Sequence, residues 1–207
     1  MAELRGRRVV LRPLRPDDFD AWADVRRRSR DWLEPWEPLP EVGSPDPVTD
    51  LDAFTARCGS WDRQRHLDAA YGYGVFLDGG FIGEVSLGTV HRGPFQTAFV
   101  GYWIDEPLAG RGLTPEAVAV LVDHAFGHLK LHRVEAAVVP RNTASIRVVE
   151  KLGMRYEGVA KRFLQIRGTW EDHARYALTV EEWAEHRAEL NDRYLRSPAL
   201  RSVSRTG

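Results

Sequence analysis

The chain has 207 residues, 43% of them hydrophobic, with 29 basic and 30 acidic side chains and a formal net charge of −1. That length suits one domain with a real core rather than two, and the balanced charge excludes electrostatic binding of nucleic acid over the whole surface. No apolar run approaches the roughly 18 residues needed to span a bilayer, and MAELRGRRVV is too charged for a signal-peptide core, so a cytoplasmic protein with no membrane partner is expected. The lone Cys58 excludes an internal disulfide and, with the histidines scattered, no metal site is expected. Arg5, Arg7, Arg8, Arg12 and Arg15 cluster near the N-terminus and read as a solvated strand edge. Only Lys130, Lys151 and Lys161 are lysine, a bias that runs through the whole chain and marks no basic binding face.

In chain order, RVVLRPL reads as a short strand, and RPDDFDAWADVRRRS as a helix opened by Pro16 with Phe19, Trp22 and Ala23 on one face. DWLEPWEPLPEVGSPDPVTD holds too many prolines for a helix or central strand, yet its tryptophans require burial; it is predicted to be an ordered loop over a pocket. LDAFTARCGSWDRQRH is a second helix. YGYGVFL and FIGEVSLGTV flank Asp78-Gly79-Gly80 as a hairpin, and QTAFVGYWI adds a third strand to an antiparallel meander. Val118, Leu121, Val122, Ala125, Phe126 and Leu129 fall at i, i+3, i+4, i+7, i+8 and i+11, which predicts a helix over 114–129. RVEAAVV follows as a strand covered on both faces, then NTASIRVVEKLG as a short helix capped by Asn142 and closed by Gly153. RYEGVAKRFLQI and WEDHARYALT form a closing hairpin around Arg167-Gly168, residues 181–195 a charged helix, and SPALRSVSRTG a frayed tail.

The stretch LAGRGLTPEA carries chemistry. Glycine lets the main chain approach a ligand closely, and the first amides of a helix have no intrahelical partner, so Gly110-Arg111-Gly112 ahead of Thr114-Pro115 describes an anion site for a phosphate. A plain strand-to-helix turn is the alternative. Asn142 and Ser145 are also what simple helix capping selects, and Tyr102 and Trp103 are also ordinary strand aromatics.

The order strand (GYWID), Gly-rich turn, helix, strand and Asn-x-x-Ser helix resembles the GCN5-related N-acetyltransferase (GNAT) superfamily. RSRDWLEPWEP, RGPFQTAFVGYWI, GRGLTPEA, LHRVEAAVVPRNTASIRVVEKLGMRYEG and GTWEDHARYALT resemble its RimJ type, protein N-terminal alanine acetyltransferases acting on a small-subunit ribosomal protein. The resemblance implies an α/β fold of the α+β type: a mostly antiparallel mixed sheet of about seven strands, splayed between strands 4 and 5 and flanked by helices. It covers one domain at 5–183, leaving 184–207 as a charged helix and flexible tail.

It further implies acetyl-CoA as co-substrate, with direct attack of an amine on the thioester. Gly110, Arg111, Gly112, Leu113 and Thr114 become the pyrophosphate loop. Val100–Ile104 become the splayed strand, with Tyr102, Trp103 and Ile104 at the pantetheine and a nearby N–H stabilising the oxyanion. Asn142 holds the pantetheine, Ser145 protonates the departing thiolate, and Trp32 and Trp36 form the acceptor pocket. Ala109 and Thr114 depart from the superfamily's Gln/Arg-x-x-Gly-x-Gly/Ala pattern, which leaves main-chain contacts to carry the phosphates. The usual strand glutamate is replaced by Ala98 and Phe99, leaving Glu84, Asp105, Asp172 and His173 as candidate proton acceptors, Glu84 through water. With an α-amine pKa near 7.7–8.0, water alone can serve. The partner implied is a protein N-terminus, in a monomer or homodimer. A small-molecule amine acetyltransferase and a catalytically weak CoA-binding module remain open as alternatives.

Overall fold

The computed structural model describes residues 3–195. RVVLRPL holds one strand, β2 (Val9–Arg12), and a further short strand, β1 (Leu4–Arg5), precedes it. The extra strand arises because Gly6 turns the backbone and donates its N–H to the Val9 carbonyl at 2.9 Å. Helix α1 (Phe19–Arg28) is followed directly by a single-turn helix, α2 (Arg30–Leu33), and a 3-10 turn at Glu34–Trp36. The Trp-Pro loop is therefore partly helical. Its Pro35 sits in the first turn of the 3-10 segment, where no amide is needed.

Helix α3 (Leu51–His66) is capped by Asp50, whose carboxylate accepts from the amides of Asp52 and Ala53. Strands β3 (Tyr71–Leu77) and β4 (Gly80–His91) are joined through Asp78 and Gly79, both at positive φ (50° and 84°), the left-handed pair that a tight hairpin requires. Next come β5 (Thr97–Ile104), α4 (Leu113–Gly127), β6 (Arg133–Val138), α5 (Thr143–Lys151), β7 (Arg155–Ile166) and β8 (Thr169–Thr179). Helix α6 (Val180–Leu190) starts at a Thr179–Glu182 capping box and passes into a π turn at Asn191–Leu195. The segment SPALRSVSRTG lies outside the described residues.

All eight strands form one sheet in the order β1-β2-β3-β4-β5-β6-β8-β7. Every neighbouring pair is antiparallel except β5 and β6, which are parallel because α4 carries the chain back across the sheet. That parallel pairing covers only Thr97↔Arg133, Ala98↔Val134 and Phe99↔Glu135. Beyond it the strands part, β5 running on to Ile104 and β6 to Val138. The opening lies between the fourth and fifth strands when the two-residue β1 is left aside, as the resemblance implies.

Two apolar cores hold the sheet. Under α4, Val118, Leu121, Val122 and Ala125 pack with Leu11, Tyr73, Leu87, Val134 and Leu178; all are buried. Each such leucine withdrawn from water contributes about 2 kcal/mol. Under α1 and α3, Trp22, Phe54 and Cys58 pack with Phe76 and Phe81. Gly72 permits this second contact, since a Cβ there would lie 2.4 Å from the Trp61 ring.

Candidate active site

The end of β5, the turn before α4, the start of α5 and the Trp-Pro loop enclose a cavity of about 360 Å3. Its walls include Trp32, Trp36, Tyr102, Trp103, Ile104, Gly110, Gly112, Thr114, Asn142 and Ser145, so most residues singled out from sequence meet at one place. Arg111 and Leu113 belong to the same turn without lining the cavity; Leu113 is buried in the core. A larger cavity of about 550 Å3, between Glu3, Arg5, His124, His128 and Asn191 at the other end of α4, holds none of them.

Gly110 and Gly112 both sit at φ 76°, a conformation that glycine adopts without strain. Among the described residues, the amides of Gly110, Arg111, Gly112, Leu113 and Thr114 donate to no backbone or side-chain acceptor. They form a run of main-chain donors at the N-terminus of α4, the geometry an anion takes. Across the cavity, the part of β5 beyond Phe99 has no strand beside it on the β6 side. Its main-chain groups on that edge can receive the amides of an extended ligand.

The Asn142 side-chain oxygen accepts the Ser145 amide at 3.0 Å, so the cap is real. The cap uses only the oxygen, and the carboxamide NH2 takes no partner among the described residues. The Tyr102 hydroxyl lies 2.8 Å from Ser145 Oγ and 3.1 Å from the Ser145 carbonyl oxygen, to which it donates. Burial pushes the Tyr102 phenol up to about 12 despite the opposing Ser145 hydrogen bond, so it stays neutral and joins Ser145 in a hydroxyl pair.

The candidate proton acceptors are distributed differently. Glu84, buried on β4, does not line the cavity: Trp22 Nε1 donates to one of its oxygens at 2.7 Å and Arg57 to the other at 2.6 Å. It is a buried, ion-paired carboxylate. Asp105 is buried and receives Arg28 and the Ser29 hydroxyl, the latter at 2.8 Å. Burial alone would raise its pKa, but the hydrogen bonds from Arg28 and Ser29 hold it below the usual carboxylate range. Asp172 is paired with Lys161 on the surface, and His173 is buried, its Nδ1 3.0 Å from the Glu171 carbonyl. Among the described residues, the one carboxylate lining the cavity, Glu37, is held bidentately by Arg26 at 2.7 Å per bond.

Those pairs fix the loop. Arg28 and Ser29 tie the end of α1 to Asp105 at the end of β5, Arg26 ties Glu37, and Arg141 lies 5.1 Å from the Trp36 ring while its guanidinium meets Glu171. Sequence reasoning missed these arginines because their partners are distant in the chain. It also missed Arg147 and Lys151, one helical turn apart on α5, which face the cavity. The cluster read as a solvated edge is largely one, with Arg5, Arg7, Arg8 and Arg15 exposed and β1 the outermost strand, but two members are also tied down: Arg8 and Arg12 are fixed by Glu116 and Asp18, and Arg12 stacks on Phe76 at 3.8 Å.

Residues 8–155 match the model of the acetyltransferase (GNAT) domain. The chain belongs to the GNAT acetyltransferase family. A probable N-acetyltransferase, YjcK of Bacillus subtilis (strain 168), is 38% identical over 172 residues, 82% of this chain and 93% of the relative. The ribosomal protein uS5-alanine N-acetyltransferase of Escherichia coli (strain K12) is 32% identical over 180 residues, 85% of this chain and 90% of the relative. Among solved structures, Mycobacterium smegmatis RimJ in complex with CoA-disulfide is similar with a TM-score of 0.83 and 34% identity, over 93% of this chain and 92% of that one. As a GNAT domain the chain is an acetyl-CoA-dependent N-acetyltransferase related to ribosomal-protein acetyltransferases. Among the described residues no helix is long and apolar enough to cross a membrane, and no group of three or more His, Cys, Asp or Glu is set to hold a metal.

Proposed function

We propose that this GNAT domain acetylates the N-terminal α-amine of a protein, with alanine as the preferred first residue. The observation that carries the reading is the shared cavity: a run of free main-chain donors at one end, the hydroxyl pair of Tyr102 and Ser145 within, and the rings of Trp32 and Trp36 as an apolar wall. Similarity to the uS5-alanine enzyme of E. coli supports the choice of acceptor.

In this reading the amides of residues 110–114 bind the diphosphate of acetyl-CoA, and Arg147 and Lys151 add positive charge beside it. The open edge of β5 and the Asn142 carboxamide hold the pantetheine. A main-chain N–H near Tyr102 or Trp103 stabilises the oxyanion formed when the neutral amine attacks the thioester carbonyl. Collapse breaks the C–S bond, the Ser145–Tyr102 pair passes a proton to the thiolate, and the amine's surplus proton goes to water, from which the pair is reprotonated. Trp32 and Trp36 receive a short first side chain, and the proline-stiffened loop loses little entropy in doing so.

The test is thiol release from acetyl-CoA with an alanine-starting peptide, the same peptide with its N-terminus blocked, and a panel of polyamines and aminoglycosides, with the product located by mass spectrometry. The proposal expects turnover only with the free alanine N-terminus. Turnover confined to the small amines would overturn the acceptor assignment, and coenzyme binding without any turnover would leave a binding module.

A further inference from the structure

The Gly-Arg-Gly turn is held from behind. Glu116, in the first turn of α4, has no solvent exposure, and its Oε1 accepts the main-chain amides of Arg8 at 2.5 Å and Val9 at 3.0 Å. Its Oε2 accepts Arg8 Nε at 2.7 Å. The guanidinium anchored in this way donates from Nη1 to the Arg111 carbonyl at 3.1 Å and from Nη2 to the Gly112 carbonyl at 3.2 Å. Gly6 leaves room for the arrangement, because a Cβ there would fall 2.8 Å from Glu116 Oε1.

In a trans peptide the C=O and the following N–H point in opposite directions. A donor that draws the carbonyls of Arg111 and Gly112 to one side therefore turns the amides of Gly112 and Leu113 to the other, away from Arg8. Those amides belong to the unpartnered run described above. We infer that Arg8 and Glu116 are positioning residues for the coenzyme, a clamp that holds the turn with its donors aimed at the diphosphate. The clamp rests on the proposed placement of the coenzyme at this turn. It also cancels the charge of Glu116, a carboxylate that would otherwise sit unpaired in the first turn of an anion-binding helix. A planar fork suits the task, since one guanidinium meets a carboxylate and two carbonyls at once, which an ammonium on a flexible stem does not.

Arg8 is half-exposed, so Arg8→Gln and Arg8→Lys can be made without opening the core. The expected result is a rise in the dissociation constant for CoA of roughly tenfold or more in both variants, as two charge-assisted hydrogen bonds are lost. The kcat/KM for S-acetylpantetheine, a donor without a diphosphate, should fall far less, and the Gly112 and Leu113 amide resonances should shift in the free protein. Recovery of affinity in Arg8→Lys would make Arg8 a direct phosphate contact and overturn the clamp. An equal loss with both donors would reduce it to general stability and also overturn it, as would unchanged CoA affinity. Wild-type protein that binds no CoA, or whose residues 110–114 are unmoved by CoA, would instead defeat the placement of the coenzyme on which the clamp rests.

Discussion

Ser145 takes part in two hydrogen-bonded arrangements, its amide serving the Asn142 cap and its hydroxyl serving Tyr102. Replacing it with alanine leaves the first intact and removes the second, so Ser145→Ala should lower kcat roughly tenfold while leaving acetyl-CoA affinity nearly unchanged, because protonating the thiolate matters only as charge develops. Steady-state rates beside calorimetric binding check this, and equal rates would leave the hydroxyl with no part in turnover. Trp36→Ala should raise the KM for an alanine-starting peptide roughly tenfold, as loss of an aromatic anchor does, with acetyl-CoA binding untouched. A lowered melting temperature with unaltered peptide kinetics would sink that assignment. The same scale shows where the sequence misleads. Glu84 reads as a strand carboxylate open to water, yet Trp22 and Arg57, far along the chain in α1 and α3, occupy both of its oxygens.

Elements were legible wherever their period was their own. The α4 stripe, the Asp78-Gly79 hairpin and the Asn142 cap are local signals, and all three stand in the structure. The single-turn helices in the Trp-Pro loop were not legible, because they are too short to show a period and are held by Arg26, Arg28 and Arg141 rather than by their own propensity. Two substitutions test element contacts. Gly72→Ala places a methyl against the Trp61 ring at the α3–β3 interface, and overpacking of this kind should cost about 1–3 kcal/mol in chemical unfolding. Gly112→Val meets no such clash; what it meets is a left-handed φ of 76° that a β-branched residue tolerates badly. Its cost should appear in CoA affinity, at about 1–3 kcal/mol, and unchanged calorimetric affinity with the fold intact would remove the phosphate-binding role of the turn.

For the molecule as a whole, acid stability should turn on α4. Burial, reinforced by the adjacent His128, lowers the His124 pKa to about 4 against the opposing pull of Asp123. The unfolded chain therefore takes up a proton at His124 before the folded one does. The stability this neutral imidazole contributes is complete above the ordinary histidine pKa near 6.5 and drains away as pH falls from there toward 4. The melting temperature should drop across that window, above the range in which the lowered carboxylates Asp18, Asp105 and Glu157 begin to protonate, and His124→Asn should flatten the fall. An unaltered profile in that variant would assign the acid sensitivity elsewhere. The three-pair join between β5 and β6 carries a mechanical consequence. The sheet is in effect two plates, β1–β5 and β6–β8, stitched for three residues and then left apart. Shear across the middle of the molecule loads that short seam and the helices spanning it, so a ligand lodged in the gap acts as mortar, and the fold with its co-substrate bound should resist being pulled apart more than the fold alone.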